Sequence, residues 1–280
     1  TLVGADTYLS EEFVLNPMVF RQEWEELENM GATPNAYVNH ACRITTPFDM
    51  ILNQIIEESR GNFRHGSCGM GINETIIRNV CNCSCEMWND SSDEAKRYYL
   101  KEIRKYVKER LNDAGINEIS KEWGKIIYSD SLIENFIDDL NFMNRNISIR
   151  FDNFIEYYDC LVFENGQGIL LDQNNKEYFP HLTPSNTGLK NPLEIISNMH
   201  CIPDIEVCYV TRTYLTRHGS GRFDGECDKE EINPDIQDLT NIPNPHQGTL
   251  RYAKLDENSL QDRILKDFEP ARKYGAKLSL

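Results

Sequence analysis

The chain reads as α/β. Short apolar runs alternate with segments of helical period along the sequence. Apolar residues make up 40% and charged residues 26%, close to globular averages, which excludes a mostly disordered or collagen-like chain. At 280 residues the chain is long enough to bury a sizeable core, as one large domain or two small ones. No linker composition stands out, so a single domain over residues 1–280 is expected.

Taken in order, Tyr37–Ile44 reads as a strand. A helix follows: Thr46 is placed to cap it, Pro47 suits its first position, and Asp49 completes the cap. Phe48, Ile51, Leu52, Ile55 and Ile56 share one face of that helix, and Gly61 ends it. A second helix is predicted from Asp93 to Asn112, with Ser92 as N-cap, an apolar stripe of Ala95, Tyr99, Ile103, Val107 and Leu111, and Gly115 as the stop. Its basic residues, Lys96 among them, alternate with Glu94, Glu102 and Glu109 and so read as a solvated face. Cys160–Phe163 and Ile205–Val210 read as buried strands, each running into a glycine-containing loop, which is where α/β proteins place ligands. Residues 225–245, with Pro234, Pro243 and Pro245, read as a long polar surface loop.

The balance of 45 carboxylates against 29 Lys and Arg gives a net charge of −16. That argues against bulk nucleic-acid or anionic-membrane binding, but not against small phosphate ligands held by local donors. No run of ~18 apolar residues is long enough for a bilayer-spanning helix. The odd count of nine cysteines, some within apolar runs such as Cys160 and Cys208, reads as reduced thiols in a cytoplasmic protein. The chain starts at Thr1 rather than Met and stops on Lys277–Leu280, so it is expected to be a piece of a longer protein lacking both ends.

Five segments carry chemistry. In His65–Thr75, three glycines within six residues let backbone N–H groups approach a phosphate, and Ser67 adds a hydroxyl; a tight structural turn is the plain alternative. No GK[ST] follows, so it is not a Walker A loop. In Phe163–Asp172, Asn165 and Gln167 are carboxamides suited to the edge of a base, although Asn165–Gly166 also fits a hairpin turn. Tyr178–Gly188 gathers Thr183, Ser185, Asn186 and Thr187 as small donors, or simply as turn residues. Thr211–Phe223 places Arg212, Arg217 and Arg222 with two glycines after a strand, an anion-recognition composition. In Asn244–Asp256, Arg251 suits either a two-point clamp on a carboxylate or a surface ion pair.

Together these segments resemble the adenylosuccinate synthetase family. His65–Ile72 is similar to that family's GTTGRGIG loop, Glu164–Asp172 to its EGAQG-x-LLD run, Phe179–Asn186 to its YPxVTSSN run and Thr216–Phe223 to its TRVGxGPF loop, in the family order. The resemblance implies a three-layer fold around a large, mostly parallel sheet, related to P-loop enzymes. It implies a GTP- and magnesium-dependent ligase joining IMP to L-aspartate through a 6-phosphoryl intermediate, in a cytoplasmic homodimer. It places Ser67, Cys68 and Gly69 at the 5′-phosphate with Thr183, Asn165 and Gln167 toward the purine, and His218, Gly219 and Gly221 along the ribose and base. His246, Gln247, Gly248 and Arg251 fall in the amino-acid loop, and Arg78 is its candidate for an arginine reaching the neighbouring subunit.

There are departures. The family's amino-acid loop, TTGRRRRTGWLD, aligns with Pro245–Asp256, so that Gly248 stands where an arginine for the aspartate carboxylate is expected, and Met70 replaces the first loop's arginine. The GDEGKGK and GGxNAGHT segments with the catalytic aspartate and histidine, and the TKLD guanine motif, are not in this sequence, so no catalytic acid or base is assigned within it. Residues 1–280 alone are therefore expected not to turn over. The alternatives are a divergent ligase for another purine nucleotide or amino acid, such as a 2-aminoadenylosuccinate synthetase using dGMP and ATP, or a non-catalytic nucleotide-binding relative. Cys81, Cys83 and Cys85 invite a metal hypothesis, but no second pair at metal-ligand spacing accompanies them, and no metal ligands are assigned.

Overall fold

The computed structural model describes residues 2–78, 84–237 and 246–279. The chain divides into two compact units. One comprises Thr1–Gly61 and Gly69–Asp159, the other Asn62–Cys68 and Cys160–Leu280. Helices and strands are mixed and several strands pair in parallel, which agrees with the α/β reading.

In the first unit, β1 (Thr7–Leu9) is followed by β2 (Val14–Leu15), helix α1 (Pro17–Asn29), β3 (Ala36–Asn39) and β4 (Arg43–Ile44). The single strand expected over Tyr37–Ile44 is thus two strands, interrupted at residues 40–42. Helix α2 (Pro47–Ser59) forms as the sequence predicts. Thr46 Oγ1 accepts from the Asp49 backbone N–H while Asp49 Oδ2 accepts from the Thr46 N–H, a complete capping box. Short helices α3 (Ile72–Ile77) and α4 (Cys85–Asp90) precede α5 (Asp93–Asp113), α6 (Lys121–Ile127), α7 (Asp130–Asn146) and β5 (Ile147–Arg150).

Strands β1, β3 and β5 form a parallel sheet in the register Leu9↔Val38↔Ile149, and β2 pairs in parallel with β4. Parallel neighbours need crossovers, and here helices supply them. The core lies where α2, α5 and α7 bring together Phe48, Leu52, Leu100, Ile103, Phe136 and Leu140. Trp88 stands edge-on to Phe136, with ring centroids 6.3 Å apart.

The buried stripe of α5 differs from the expected one. It runs Lys96, Leu100, Ile103, Val107 and Leu111, with Ala95 and Tyr99 only half-buried. Lys96 is 4% exposed rather than solvated, because its Nζ donates to Asn141 Oδ1 at 2.6 Å and to Asp93 Oδ1 at 3.4 Å.

The second unit contains α8 (Lys190–Ser197), β6 (Glu206–Cys208), β7 (Tyr214–Arg217), β8 (Glu226–Cys227), α9 (Lys229–Ile232), β9 (Arg251–Lys254), α10 (Glu257–Phe268) and β10 (Lys277–Ser279). Strands β6 and β10 pair in parallel, and β7, β9 and β8 form an antiparallel sheet with β9 in the middle. Leu193, Val207, Phe268 and Ala271 make its small core.

Two strand expectations need correction. Cys160–Phe163 is not a strand: no partner strand pairs with it among the described residues, and Val162 is 81% exposed. Within Ile205–Val210 only Glu206–Cys208 is a strand and only Val207 is buried, because a two-stranded sheet covers one face. The polar stretch from 225 carries β8, α9 and the buried Ile236, while Pro243 and Pro245 lie outside the described residues. Among the described residues the sheets have two or three strands, so the large central sheet is not seen there, and no helix is long and apolar enough to cross a membrane.

Candidate functional site

In the second unit three loops line one open groove of about 510 Å³: the Arg64–Gly66 segment, the Gly219–Gly221 turn and the His246–Thr249 loop, with Arg251 behind them. The chain follows this path because β7 and β9 are antiparallel, which sets Arg217 directly opposite Arg251 and brings the turn after β7 beside the loop before β9. Close approach requires the glycines. A Cβ on Gly66 (φ +81°) would lie 2.5 Å from Gly219 Cα, and one on Gly221 (φ +104°) 2.5 Å from the His181 ring. His181 Nδ1 lies 3.1 Å from the His65 carbonyl oxygen, and Gln247 Nε2 donates to the Gly66 carbonyl at 3.3 Å.

Two guanidiniums hold the turn from behind. Arg251 Nη1 donates to the carbonyls of Gly219 and Gly221 at 2.9 and 3.0 Å. Arg217 donates to the carbonyls of Ser220, Arg222 and His181 at 3.2, 3.2 and 2.8 Å. Arg251 also forks onto Glu226, Nε to Oε1 at 2.7 Å and Nη2 to Oε2 at 2.5 Å. Electrostatics follow this geometry. The Arg251 hydrogen bonds hold the Glu226 carboxyl below its ordinary range, while burial, and then the neighbouring Arg251 charge, lowers Arg217. Arg222 is paired with Asp224, and Arg212 donates to Thr216 Oγ1. All three arginines expected to recognise an anion therefore have partners within the chain.

The carboxamide loop and the small-donor loop are joined to each other. Asp172 Oδ2 accepts the Thr187 N–H at 2.7 Å, the Thr183 N–H donates to the Leu171 carbonyl, and Thr187 Oγ1 donates to the Gly168 carbonyl. Residues 165–172 thus do not form the hairpin that Asn165–Gly166 allows; a 3₁₀ turn follows at Ile169–Leu171. Asn165 Nδ2 donates to the Gly188 carbonyl at 2.9 Å, and Gln167 is exposed.

The remaining candidates are distributed as follows. Ser67, half-buried, and Cys68, exposed, belong to the second unit, as do His218, half-buried, and the exposed Gly248. Gly69 belongs to the first unit, where its carbonyl accepts from Gln54 Nε2 at 3.1 Å. Gly71 packs against α2: a Cβ there would stand 2.6 Å from the Asp49 carbonyl carbon. Arg78, the candidate for an arginine reaching the neighbouring subunit, is buried in an ion pair with Asp49 and donates to the Ile44 carbonyl. Sequence reasoning did not single out Arg64, Ser220, Thr249 or Glu226. Arg64 precedes the first glycine loop directly, which is the one local signal; Glu226 carries none.

No three His, Cys, Asp or Glu side chains converge to hold a metal ion among the described residues, and Cys81 and Cys83 of the cysteine cluster lie outside them.

The family profile described as adenylosuccinate synthetase matches residues 3–242, ending before His246. Curated proteins named adenylosuccinate synthetase are similar to this chain. That of Synechocystis sp. is 27% identical over 236 residues, covering 78% of this chain and 48% of the relative. Those of Gloeobacter violaceus and Trichodesmium erythraeum are 26% and 25% identical, covering 76% and 81% of this chain. The chain spans about half the length of the curated relatives it matches.

Proposed function

The chain belongs to the adenylosuccinate synthetase family, and on that premise we propose that the complete protein is a ligase of purine nucleotide biosynthesis, joining IMP to L-aspartate with GTP as phosphoryl donor. The observation that carries this reading is the match over residues 3–242, within which all four motif segments fall in the family order. In this reaction the 6-oxygen of IMP, after loss of the N1 proton, attacks the γ-phosphorus, and the bond to the departing GDP breaks. The amine of aspartate then adds at C6, the C6–O bond breaks, phosphate leaves and the C–N bond remains. The chemistry is positioning and charge neutralisation around a phosphoryl group.

The residues of this chain bind and orient. Ser67, Cys68 and Gly69 with Thr183 take the 5′-phosphate through N–H and hydroxyl donors. Asn165 and Gln167 face the purine edge, and His218, Gly219 and Gly221 line the ribose. His246, Gln247 and Gly248 form the amino-acid loop. No residue of this sequence is assigned as the catalytic aspartate or histidine that the family implies, and magnesium, when bound, would supply neutralisation of the phosphate charge. The same reading makes both units parts of one three-layer domain, whose parallel strands join a larger sheet, in a cytoplasmic homodimer.

One observation favours a second reading. Gly248 occupies the position where the family has an arginine for the aspartate carboxylate. That supports a divergent ligase taking dGMP or GMP, with ATP as donor, or another amino acid. Calorimetric titration of the protein expressed from its complete reading frame tests the first reading. Saturable binding of IMP tighter than that of dGMP supports it, and binding of dGMP alone, or of no purine nucleotide, overturns it.

A further inference from the structure

We infer that Arg251 is a positioning residue that holds the Gly219–Gly221 turn with Glu226 as its fixed counter-ion, and that it does not read the carboxylate of the second substrate. This rests on the nucleotide-ligase reading above and concerns the same site. The donor count carries it. A guanidinium has five N–H donors. Nε and Nη2 take the two oxygens of Glu226, and Nη1 takes the Gly219 and Gly221 carbonyls. One N–H is left, too few for the two-point fork by which arginine recognises a carboxylate.

The consequence spreads by contact. Arg217, opposite Arg251 in the sheet, takes the Ser220 and Arg222 carbonyls, so the two arginines together hold four consecutive carbonyls of one turn. Glu226 neutralises one of the two adjacent cations, and the carbonyl dipoles solvate the other. The turn held in this way fixes Gly66 by backbone contact and His181 by ring contact. Gly66 leads directly into Ser67, the candidate phosphate donor. Loosening Arg251 therefore displaces the nucleotide loops, while the amino-acid loop at His246–Gly248 meets them through the Gln247 bond to the Gly66 carbonyl, a long one at 3.3 Å.

The test uses the protein from its complete reading frame with Arg251→Lys and, as the milder variant, Glu226→Gln. Both keep a polar side chain, and Glu226→Gln carries the test if the lysine variant does not fold. Expected are a rise of about tenfold in the nucleotide dissociation constant, an amino-acid KM that stays within about twofold of the parent, and faster amide exchange at residues 218–222. A higher amino-acid KM in Arg251→Lys with unchanged nucleotide binding overturns the inference. So does a lower amino-acid KM in Glu226→Ala, which would make Glu226 a placeholder for substrate. Unchanged exchange at 218–222 overturns it as well. Failure of the unmodified protein to bind any nucleotide would sink the ligase reading, and the exchange measurement would still decide the role of Arg251.

Discussion

Arg78 Nε lies 2.8 Å from Asp49 Oδ1, and both side chains are withdrawn from solvent, at 2% and 0% exposure. Asp49 is thereby tied twice, since its second oxygen accepts from the backbone N–H and hydroxyl of Thr46 at 2.7 and 2.8 Å. The pair fixes the start of α2 to the segment that follows α3. Arg78→Ala leaves a buried carboxylate without its cation, and should cost about 3–5 kcal/mol in urea unfolding. A loss below ~1 kcal/mol would show that Asp49 is satisfied by its cap alone.

Glycine at 66 is required by space as well as by φ. Gly66→Ala should destabilise by about 1–3 kcal/mol or more, because the added Cβ meets the Gly219 backbone at 2.5 Å and neither backbone can step aside cheaply. Gly166→Ala, where nothing lies within 4 Å, should stay within about 0.5 kcal/mol. Equal effects of the two in thermal melts would contradict the close packing of the loops.

Alkaline pH should weaken the fold from about pH 10 upward. Burial, and then the Asp267 carboxylate that accepts its hydroxyl at 2.6 Å, raises the Tyr209 phenol above its ordinary range. Burial and Asp152 do the same at Tyr8, and the Asp6 hydrogen bond at Tyr158. A raised folded-state pKa means stability that is whole below the unfolded value and lost as pH climbs through the folded one. Denaturant melts at pH 9 and 11 check this: Tyr209→Phe should flatten the pH dependence, and an unchanged slope would count against it.

Thiol labelling should divide the cysteines by depth. Cys42 and Cys85 are buried, and burial pushes both thiols up, Cys85 to about 12. Cys68, Cys160, Cys201 and Cys208 are exposed. Iodoacetamide at pH 8, read by peptide mass, should modify the exposed four in the folded protein and the buried two only after unfolding. Early modification of Cys42 would contradict the packing around α2.

What was legible in the sequence was local. Thr46, Pro47 and Asp49 announce α2 because a capping box is completed within four residues, and the apolar face of that helix follows from its period. What was hidden depends on distant partners. Lys96 is buried because the side-chain oxygen of Asn141, 45 residues on, accepts a hydrogen bond from its ammonium. Cys160–Phe163 has strand composition, but no strand lies beside it among the described residues. The glycine loops of the candidate groove were recognisable from their residues, whereas the use of Arg251 was not. Its counter-ion, Glu226, comes from another strand of the sheet, and only the β8–β9 pairing brings them together.

The most direct measurement takes the protein from its complete reading frame, incubates it with magnesium, GTP or ATP, aspartate, and IMP, GMP or dGMP in turn, and identifies the products by mass. Adenylosuccinate from IMP with GTP is the expected result. Product from GMP or dGMP alone, or none from any combination, would contradict the IMP–aspartate ligation proposed for the complete protein.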